Sequence, residues 1–166
     1  MTEHVMPLIS PSSLIVIGAL LFGSTMAQAM IGLNRMELES VYGPVQEESE
    51  SVYAQDLKDL LFLAKSSGDG NSIIIATTML HDRCHAVSYV KRDPQDRPAP
   101  LLPEELRNQM IASSKNAGGV WEQISPTEWK SDPGPEVRGG LKAFWPKPEL
   151  FQIFTRELLE RTGKKW

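Results

Sequence analysis

The chain has 166 residues, a formal charge of −4 and a single cysteine. This size suits one domain with one core, and the weakly acidic balance gives no electrostatic footprint for nucleic acid or for an anionic membrane surface. One cysteine excludes an internal disulfide framework and any zinc or iron–sulfur site that needs several cysteines. We therefore expect one compact domain with no nucleic-acid partner.

The N-terminal segment, residues 1–29, has the organisation of a cleavable signal peptide. Residues 14–22 form an apolar run, and Ala27 and Ala29 occupy the small-x-small positions that signal peptidase reads. The run is shorter than the roughly 20 apolar residues that a spanning helix requires. The residues before it include no Lys or Arg, which departs from the usual pattern. The sequence predicts cleavage after Ala29, a secreted or periplasmic domain of residues 30–166, and no permanent membrane anchor.

A short helix is predicted over residues 33–44. Asn34 can cap its first turn, and Glu37 stands three residues later as the reciprocal partner of a capping box. Gly43 and the proline after it are typical of a helix end. The next residues, 46–51, are acidic and polar, and they predict a solvated connector.

The strongest strand signals lie in the hairpin between residues 71 and 91. Residues 72–80 are rich in Ile and Thr, and residues 83–91 continue with β-forming residues after His81 and Asp82. Two such strands joined by a short polar turn predict an antiparallel hairpin at the centre of a sheet.

Alternation along the second strand of this hairpin assigns its side chains to two faces. One face carries His85, Val87, Tyr89 and Lys91, and the other carries Cys84, Ala86, Ser88 and Val90. The segment before the hairpin, Leu57–Lys65, fits either a helix or a buried strand. We favour a strand, because the hairpin needs a further partner to be stable.

The region after the hairpin predicts a connector and a second helix. Residues 93–103 contain four prolines, which predicts an extended surface connector. Pro103 occupies the position that proline favours at a helix start, and Asn116 to Gly119 have the composition of a helix end. The predicted inward residues of this helix are Leu106, Met110 and Ile111.

The remaining chain predicts two more hairpins and a short helical turn. The first hairpin pairs residues 120–124 with a segment about Trp129, and the second pairs residues 141–145 with residues 150–155. Residues 156–161 add the helical turn. The order of helix, strands, helix, strands predicts an α+β fold, an antiparallel sheet with two main helices packed on one face.

Part of the chain resembles small exported α+β domains. Gly32-Leu33-Asn34 leads into the first helix, Tyr42-Gly43-Pro44 ends it, and strand pairs follow, so the likeness covers residues 32–91. These features resemble the beta-lactamase-inhibitor-protein-like fold and the outer-membrane assembly lipoproteins of the SmpA/OmlA type. The chain departs from the lipoproteins because no cysteine follows the leader. The resemblance implies a protein-binding or envelope role without catalysis.

A second likeness is to small secreted bacterial proteins. In these proteins a strand ending in Tyr-x-Lys, here Tyr89-Val90-Lys91, precedes a helix closing in Asn-Ala-Gly-Gly, here Asn116 to Gly119. This resemblance, like the first, implies a protein-binding or envelope role without catalysis.

The sharpest chemical signal is the cluster around the hairpin turn. His81, Asp82, Cys84 and His85 offer three types of metal-ligating side chain within five residues. Along a strand, however, His81 and His85 would be about 13 Å apart, too far for one ion with ligands near 2 Å. A polar turn beside a strand histidine is the favoured interpretation. The alternative is a metal or small-molecule site at residues 81–85, possibly hydrolytic, with a third ligand such as His4 if the leader is retained.

Cys84 does not fit a nucleophile activated by a histidine. Cys84 and His85 are strand neighbours and point to opposite faces, so they do not form a thiolate–base pair. Burial of Cys84 as a small apolar group is the favoured interpretation.

The C-terminal third is rich in aromatic residues, and most of them are expected in the core. Trp129 and Trp145 are predicted to be partly exposed, because each adjoins a Lys or Pro turn, and they are the candidates for a partner surface. The sequence has no GxGxxG, P-loop, HExxH or Ser-centred elbow pattern. These observations favour an exported, non-enzymatic domain without a cofactor that binds a protein or an envelope component, and such a role predicts an exposed apolar patch on one face of the sheet.

Overall fold

The computed structural model describes residues 30–65, 70–117, 120–131 and 139–166. The predicted signal peptide, with Ala27, Ala29 and His4, lies outside these residues, as do Gly118 and Gly119 at the predicted helix stop. Within the part of the chain that is described, no helix is long and apolar enough to cross a membrane.

Three helices and eight strands make up the described part of the chain, and all eight strands belong to one sheet. In chain order the elements are α1 (Arg35–Tyr42), β1 (Glu47–Glu50), β2 (Lys58–Lys65), β3 (Ser72–Leu80), β4 (Arg83–Arg92), α2 (Pro103–Ala117), β5 (Trp121–Ser125), β6 (Glu128–Ser131), β7 (Leu141–Lys147), β8 (Leu150–Thr155) and α3 (Arg156–Arg161). Every neighbouring pair is antiparallel, in the order β1-β2-β3-β4-β8-β7-β6-β5. The predicted α+β class with an antiparallel sheet is confirmed.

The predicted capping box of α1 is confirmed. The Asn34 Oδ1 atom accepts a hydrogen bond from the backbone N–H of Glu37 at 3.0 Å, and the Glu37 carboxylate accepts one from the Asn34 N–H at 2.7 Å. Gly43 ends the helix with φ +82°, a conformation that glycine adopts without strain. Leu38 is fully buried and is the main anchor of α1 in the core.

The prediction that residues 46–51 form a connector is wrong, because they contain a strand. Glu47–Glu50 forms the edge strand β1 and pairs with β2, with Glu48 opposite Leu60. All four side chains of β1 are exposed, as a solvated segment requires, so the strand is held by its backbone pairing rather than by burial. Charged side chains are a common protection of sheet edges. The strand interpretation of Leu57–Lys65 is confirmed by β2.

The central hairpin is confirmed, but its alternation is interrupted. Met79 lies opposite Cys84 and Thr78 lies opposite Ala86, so His85 is the extra residue of a β-bulge. The bulge moves Cys84 into the core cluster that contains Val87 and Tyr89. The predicted grouping of Cys84 with Ala86 on one face, and the opposition of Cys84 to Val87, are therefore wrong.

The second helix, α2, begins at Pro103 as predicted, and Leu106 is buried. Ile111 is 44% exposed, so its predicted inward position is wrong. The buried stripe runs through Leu106, Gln109 and Ser113, and Ile111 lies about 140° around the helix from Leu106. The indole N–H of Trp121 donates to the Met110 carbonyl at 2.6 Å and joins α2 to β5.

A buried ion pair also fixes the start of α2. The ammonium of Lys91, whose side chain is 3% exposed, lies 2.8 Å from a Glu105 carboxylate oxygen. The other oxygen of that carboxylate accepts a hydrogen bond from the Leu102 N–H at 2.6 Å. One side chain therefore neutralises a buried cation on β4 and caps the helix that follows.

The apolar side chains of the sheet form two clusters. The larger contains one face of the central strands together with Leu38 of α1 and Leu106 of α2. The smaller contains Leu158 and Leu159 of α3, packed with Phe154 of β8. We call the face that carries Phe62, Ile75, Tyr89 and Phe151 the inner face, and the face that carries Leu63, Ile74, Val90 and Leu150 the outer face.

The chain enters the inner core directly at the start of the described residues. Met30 and Ile31 are buried, and the Tyr89 hydroxyl donates to the Met30 sulfur at 3.3 Å. Backbone hydrogen bonds of 2.8 Å join Gly32 and Leu33 to Cys84 at the beginning of β4.

Candidate functional site

The outer face carries a row of apolar side chains that crosses four adjacent strands. Leu63 of β2 pairs with Ile74 of β3, Ile74 with Val90 of β4, and Val90 with Leu150 of β8. Leu63 is 53% exposed, and the other three side chains are half-buried. The residues next to them on the inner face are all buried: Phe62, Ile75, Tyr89 and Phe151.

Among the described elements, α3 alone covers the outer face, and it covers one end. At that end α3 lays Leu158 and Leu159 against Ala86 and Phe154. Between α3 and the apolar row lie partly exposed residues of lower hydrophobicity, and the Gln152 amide there donates to the Ser88 hydroxyl at 3.0 Å. The result is an apolar row at the far end of the sheet with no described helix packed on it.

The two predicted partner-surface tryptophans are half-buried and pack against the inner core. Trp129 meets Phe151 edge-on, with ring centroids 6.3 Å apart. The Trp145 indole donates to the Pro148 carbonyl at 3.3 Å. Both rings therefore have structural partners, and their contact with another protein stays a prediction.

A cleft of about 320 Å³ lies at the turn of the central hairpin. The buried Leu60 and Met79 supply its apolar part, and α1, β1, β2 and the hairpin turn supply polar side chains. The polar lining residues are Arg35, Glu48, Asp56, Lys58, His81 and Asp82.

Ion pairs order one wall of this cleft. One Glu48 carboxylate oxygen lies 2.6 Å from the Lys58 ammonium, and the other lies 2.7 Å from the Arg35 guanidinium. These hydrogen bonds, the one from Lys58 first, hold the pKa of Glu48 below its ordinary value. Arg35 is further paired with Glu39, and Asp56 is paired with Arg161.

The structure places the predicted metal candidates in two different environments. His81 and Asp82 are exposed at the cleft, both with positive φ, of 50° and 59°. His85 points elsewhere, with its Nδ1 atom 2.9 Å from the Thr155 hydroxyl and 3.9 Å from a Glu157 oxygen. Burial lowers the pKa of His85, although Glu157 opposes the shift.

No described group of three or more His, Cys, Asp or Glu side chains is placed to hold a metal ion. His81 and Asp82 therefore lack the further ligand that the sequence hypothesis required, at least among the residues with described positions. A metal role stays a prediction that this part of the chain does not support.

Cys84 is buried, as predicted, and its thiol donates to the Ala86 carbonyl at 3.3 Å. Burial raises the pKa of this thiol far above its ordinary value. The neutral thiol is the form that this environment favours, so Cys84 behaves as a core side chain.

Sequence reasoning missed four of the cleft residues: Arg35, Glu48, Asp56 and Lys58. They come from α1, from β1 and from the chain at residues 56–58, and the pairing of β1 with β2 and of β2 with β3 brings Glu48 and Lys58 beside the hairpin turn. The pattern that placed His81 and Asp82 at a turn gave two of the six polar lining residues, and no local motif marked the other four.

No family model matches the chain, and no curated protein and no solved structure shows a significant match to it. The likeness to exported α+β domains therefore stays an expectation, and the function is argued from the two features above.

Proposed function

We propose that this chain is an exported, non-enzymatic domain that binds another protein through the outer face of its sheet. The observation that carries the proposal is the row of Leu63, Ile74, Val90 and Leu150, whose side chains are partly exposed while their neighbours on the same strands are buried. A sheet face with no partner is normally polar. An apolar one indicates a surface that is covered in use.

The arrangement of the helices supports the same proposal. In the proposed arrangement, α1 and α2 both pack on the inner face, since Leu38 and Leu106 belong to the same core cluster. The short α3 then covers one end of the outer face and leaves the apolar row for a partner. The partner surface we envisage is aliphatic, such as the apolar stripe of a helix, because the row offers no charged side chain.

A matched pair of leucine variants tests the binding surface. Leu63 is 53% exposed on the outer face, and Leu102 is 54% exposed before α2. Leu63→Asn should abolish capture of a specific protein from an envelope extract, and Leu102→Asn should retain it. Capture that survives Leu63→Asn combined with Ile74→Thr, or the absence of any captured protein, contradicts the proposal.

Export is proposed from the leader alone, and it has a separate test. Mass spectrometry of the protein from an envelope or medium fraction should find Met30 as the first residue. An intact leader on that material contradicts the export part and leaves the binding surface to be judged by the leucine variants.

A second candidate function is small-molecule binding at the hairpin turn. It is favoured by one observation: the cleft gathers His81 and Asp82 with the carboxylates of Glu48 and Asp56, which are distant in sequence.

A further inference from the structure

We propose that the cleft at the hairpin turn binds a small zwitterion that carries an ammonium group, a carboxylate and an apolar side chain, which is the chemistry of a free apolar α-amino acid. The inference rests on the second candidate function and is independent of the outer face.

The apolar part of the cleft sets the size and character of the ligand. Leu60 and Met79 are 2% and 8% exposed, so the apolar surface they give to the cleft belongs to fixed core side chains. The volume of about 320 Å³ lies at the lower end of the roughly 300–1,000 Å³ found for small-molecule sites. Because Leu60 and Met79 are almost fully buried, the apolar contact on offer is small, and this limits the apolar part of the ligand to a short aliphatic group.

Lys58 offers a site for the ligand carboxylate. Its ammonium donates to Glu48, and its side chain is 67% exposed. An ammonium has three donors, so Lys58 can bind a carboxylate and keep its bond to Glu48. That bond and the one from Arg35 to the other Glu48 oxygen hold this wall in position before a ligand arrives.

Asp82 offers a site for the ligand ammonium. Among the residues with described positions, neither Asp82 nor His81 forms a hydrogen bond or an ion pair, although both line the cleft. Leu80 pairs with Arg83, so His81 and Asp82 form a two-residue hairpin loop, and their positive φ is the conformation that a type I′ turn requires.

The mixture of charges selects against simple ions. Arg35 and Lys58 pair with Glu48, and Arg161 pairs with Asp56, so Asp82 is the lining carboxylate that keeps its charge for a ligand ammonium. Lys58 keeps donors for a ligand carboxylate. A molecule that carries both charges can meet each group with its opposite, and the charge-assisted hydrogen bonds that result are about twice as strong as neutral ones.

Calorimetric titration of the full chain with L-leucine tests the ligand class. Isoamylamine lacks the carboxylate of leucine, and isocaproate lacks its ammonium. Each analogue should bind at least about tenfold more weakly than leucine, because each loses one charge-assisted hydrogen bond. No binding of leucine at millimolar concentration, or analogues that bind as well as leucine, overturns the inference.

Two substitutions test the assignment of the charges. Asp82→Asn should weaken leucine and isoamylamine about tenfold and leave isocaproate unchanged, and Lys58→Gln should weaken leucine and isocaproate and leave isoamylamine unchanged. Asp96→Asn is the matched control, since Asp96 is also exposed, with φ +60°, in a different turn. Circular dichroism checks that each variant is folded. Equal weakening by Asp96→Asn, or full affinity in both folded cleft variants, overturns the proposal.

Discussion

Along the apolar row, the two faces of the sheet differ in cover and not in hydrophobicity. Ile74 and Ile75 are neighbours on β3, yet Ile75 is 1% exposed on the inner face and Ile74 is half-buried on the outer face. Alternation of apolar and polar residues along a strand is typical of a sheet with one buried face and one solvent-exposed face. Here the strand is apolar on both faces, so the difference in burial comes from what packs over each side chain. The part of the outer face that no described helix covers is the part that we propose binds a partner.

The largest expected effect comes from a matched pair on β3. Ile75→Ala should lower the free energy of unfolding by about 2–5 kcal/mol, because it leaves a cavity in the inner core. Ile74→Ala should cost less than about 1 kcal/mol, since water or a partner can fill the space on the outer face. Urea unfolding of both variants measures the two losses. Equal losses would mean that the outer face is as well packed as the inner face.

A second effect is expected from the ion pair that joins the start of α2 to β4. Glu105→Gln should destabilise the fold by about 1–3 kcal/mol, because it removes the opposite charge from the buried ammonium of Lys91. Glu104→Gln is the control, since Glu104 is the exposed neighbour in the same helical turn. It should change stability by no more than about 0.5 kcal/mol. An equal loss of stability in both variants would mean that the effect comes from the helix dipole and not from the ion pair.

A third effect concerns α1, which contributes Leu38 to the inner core. Asn34→Ala should cost about 1 kcal/mol in chemical denaturation, because the capping bond to the Glu37 N–H is lost. Asn108→Ala, at an exposed position inside α2, should be neutral or stabilising, since alanine favours helix interiors. The reverse order of the two variants would contradict the role of the capping box.

The smallest effect is a pH dependence near α3. Burial lowers the pKa of His85 in the folded state below that of the unfolded chain, about 6.5. The unfolded state therefore binds more protons near this pH, and stability falls as the pH is lowered from about 7 towards 5. His85→Gln should flatten this part of the profile in thermal unfolding at several pH values. An unchanged profile would exclude His85 as its source.

Local chemistry in the sequence predicted much of the fold. Asn34 and Glu37 defined the start of α1, Pro103 defined the start of α2, and the polar pair at His81 and Asp82 located the central turn. Each of these signals depends on about four consecutive residues, so it can be recognised from the sequence without the tertiary structure.

Non-local pairing decided the features that sequence reasoning missed. The acidic residues of β1 have little tendency to form a strand, and they do so because β2 pairs with them. The bulge at His85 has no local marker, and it moves Cys84 to the other face. The cleft depends on the same pairing, since Glu48 comes beside the hairpin turn only when β1 lies against β2.

If residues 1–29 are the cleaved leader that we propose, the burial of Met30 sets the order of processing and folding. Met30 is fully enclosed and its sulfur accepts a hydrogen bond from Tyr89. Signal peptidase acting after Ala29 would need the following residue in an extended, accessible form, which the folded domain does not offer. Under that proposal, processing has to come before folding. Purified precursor should be cut readily in urea and resist cleavage once it has been refolded.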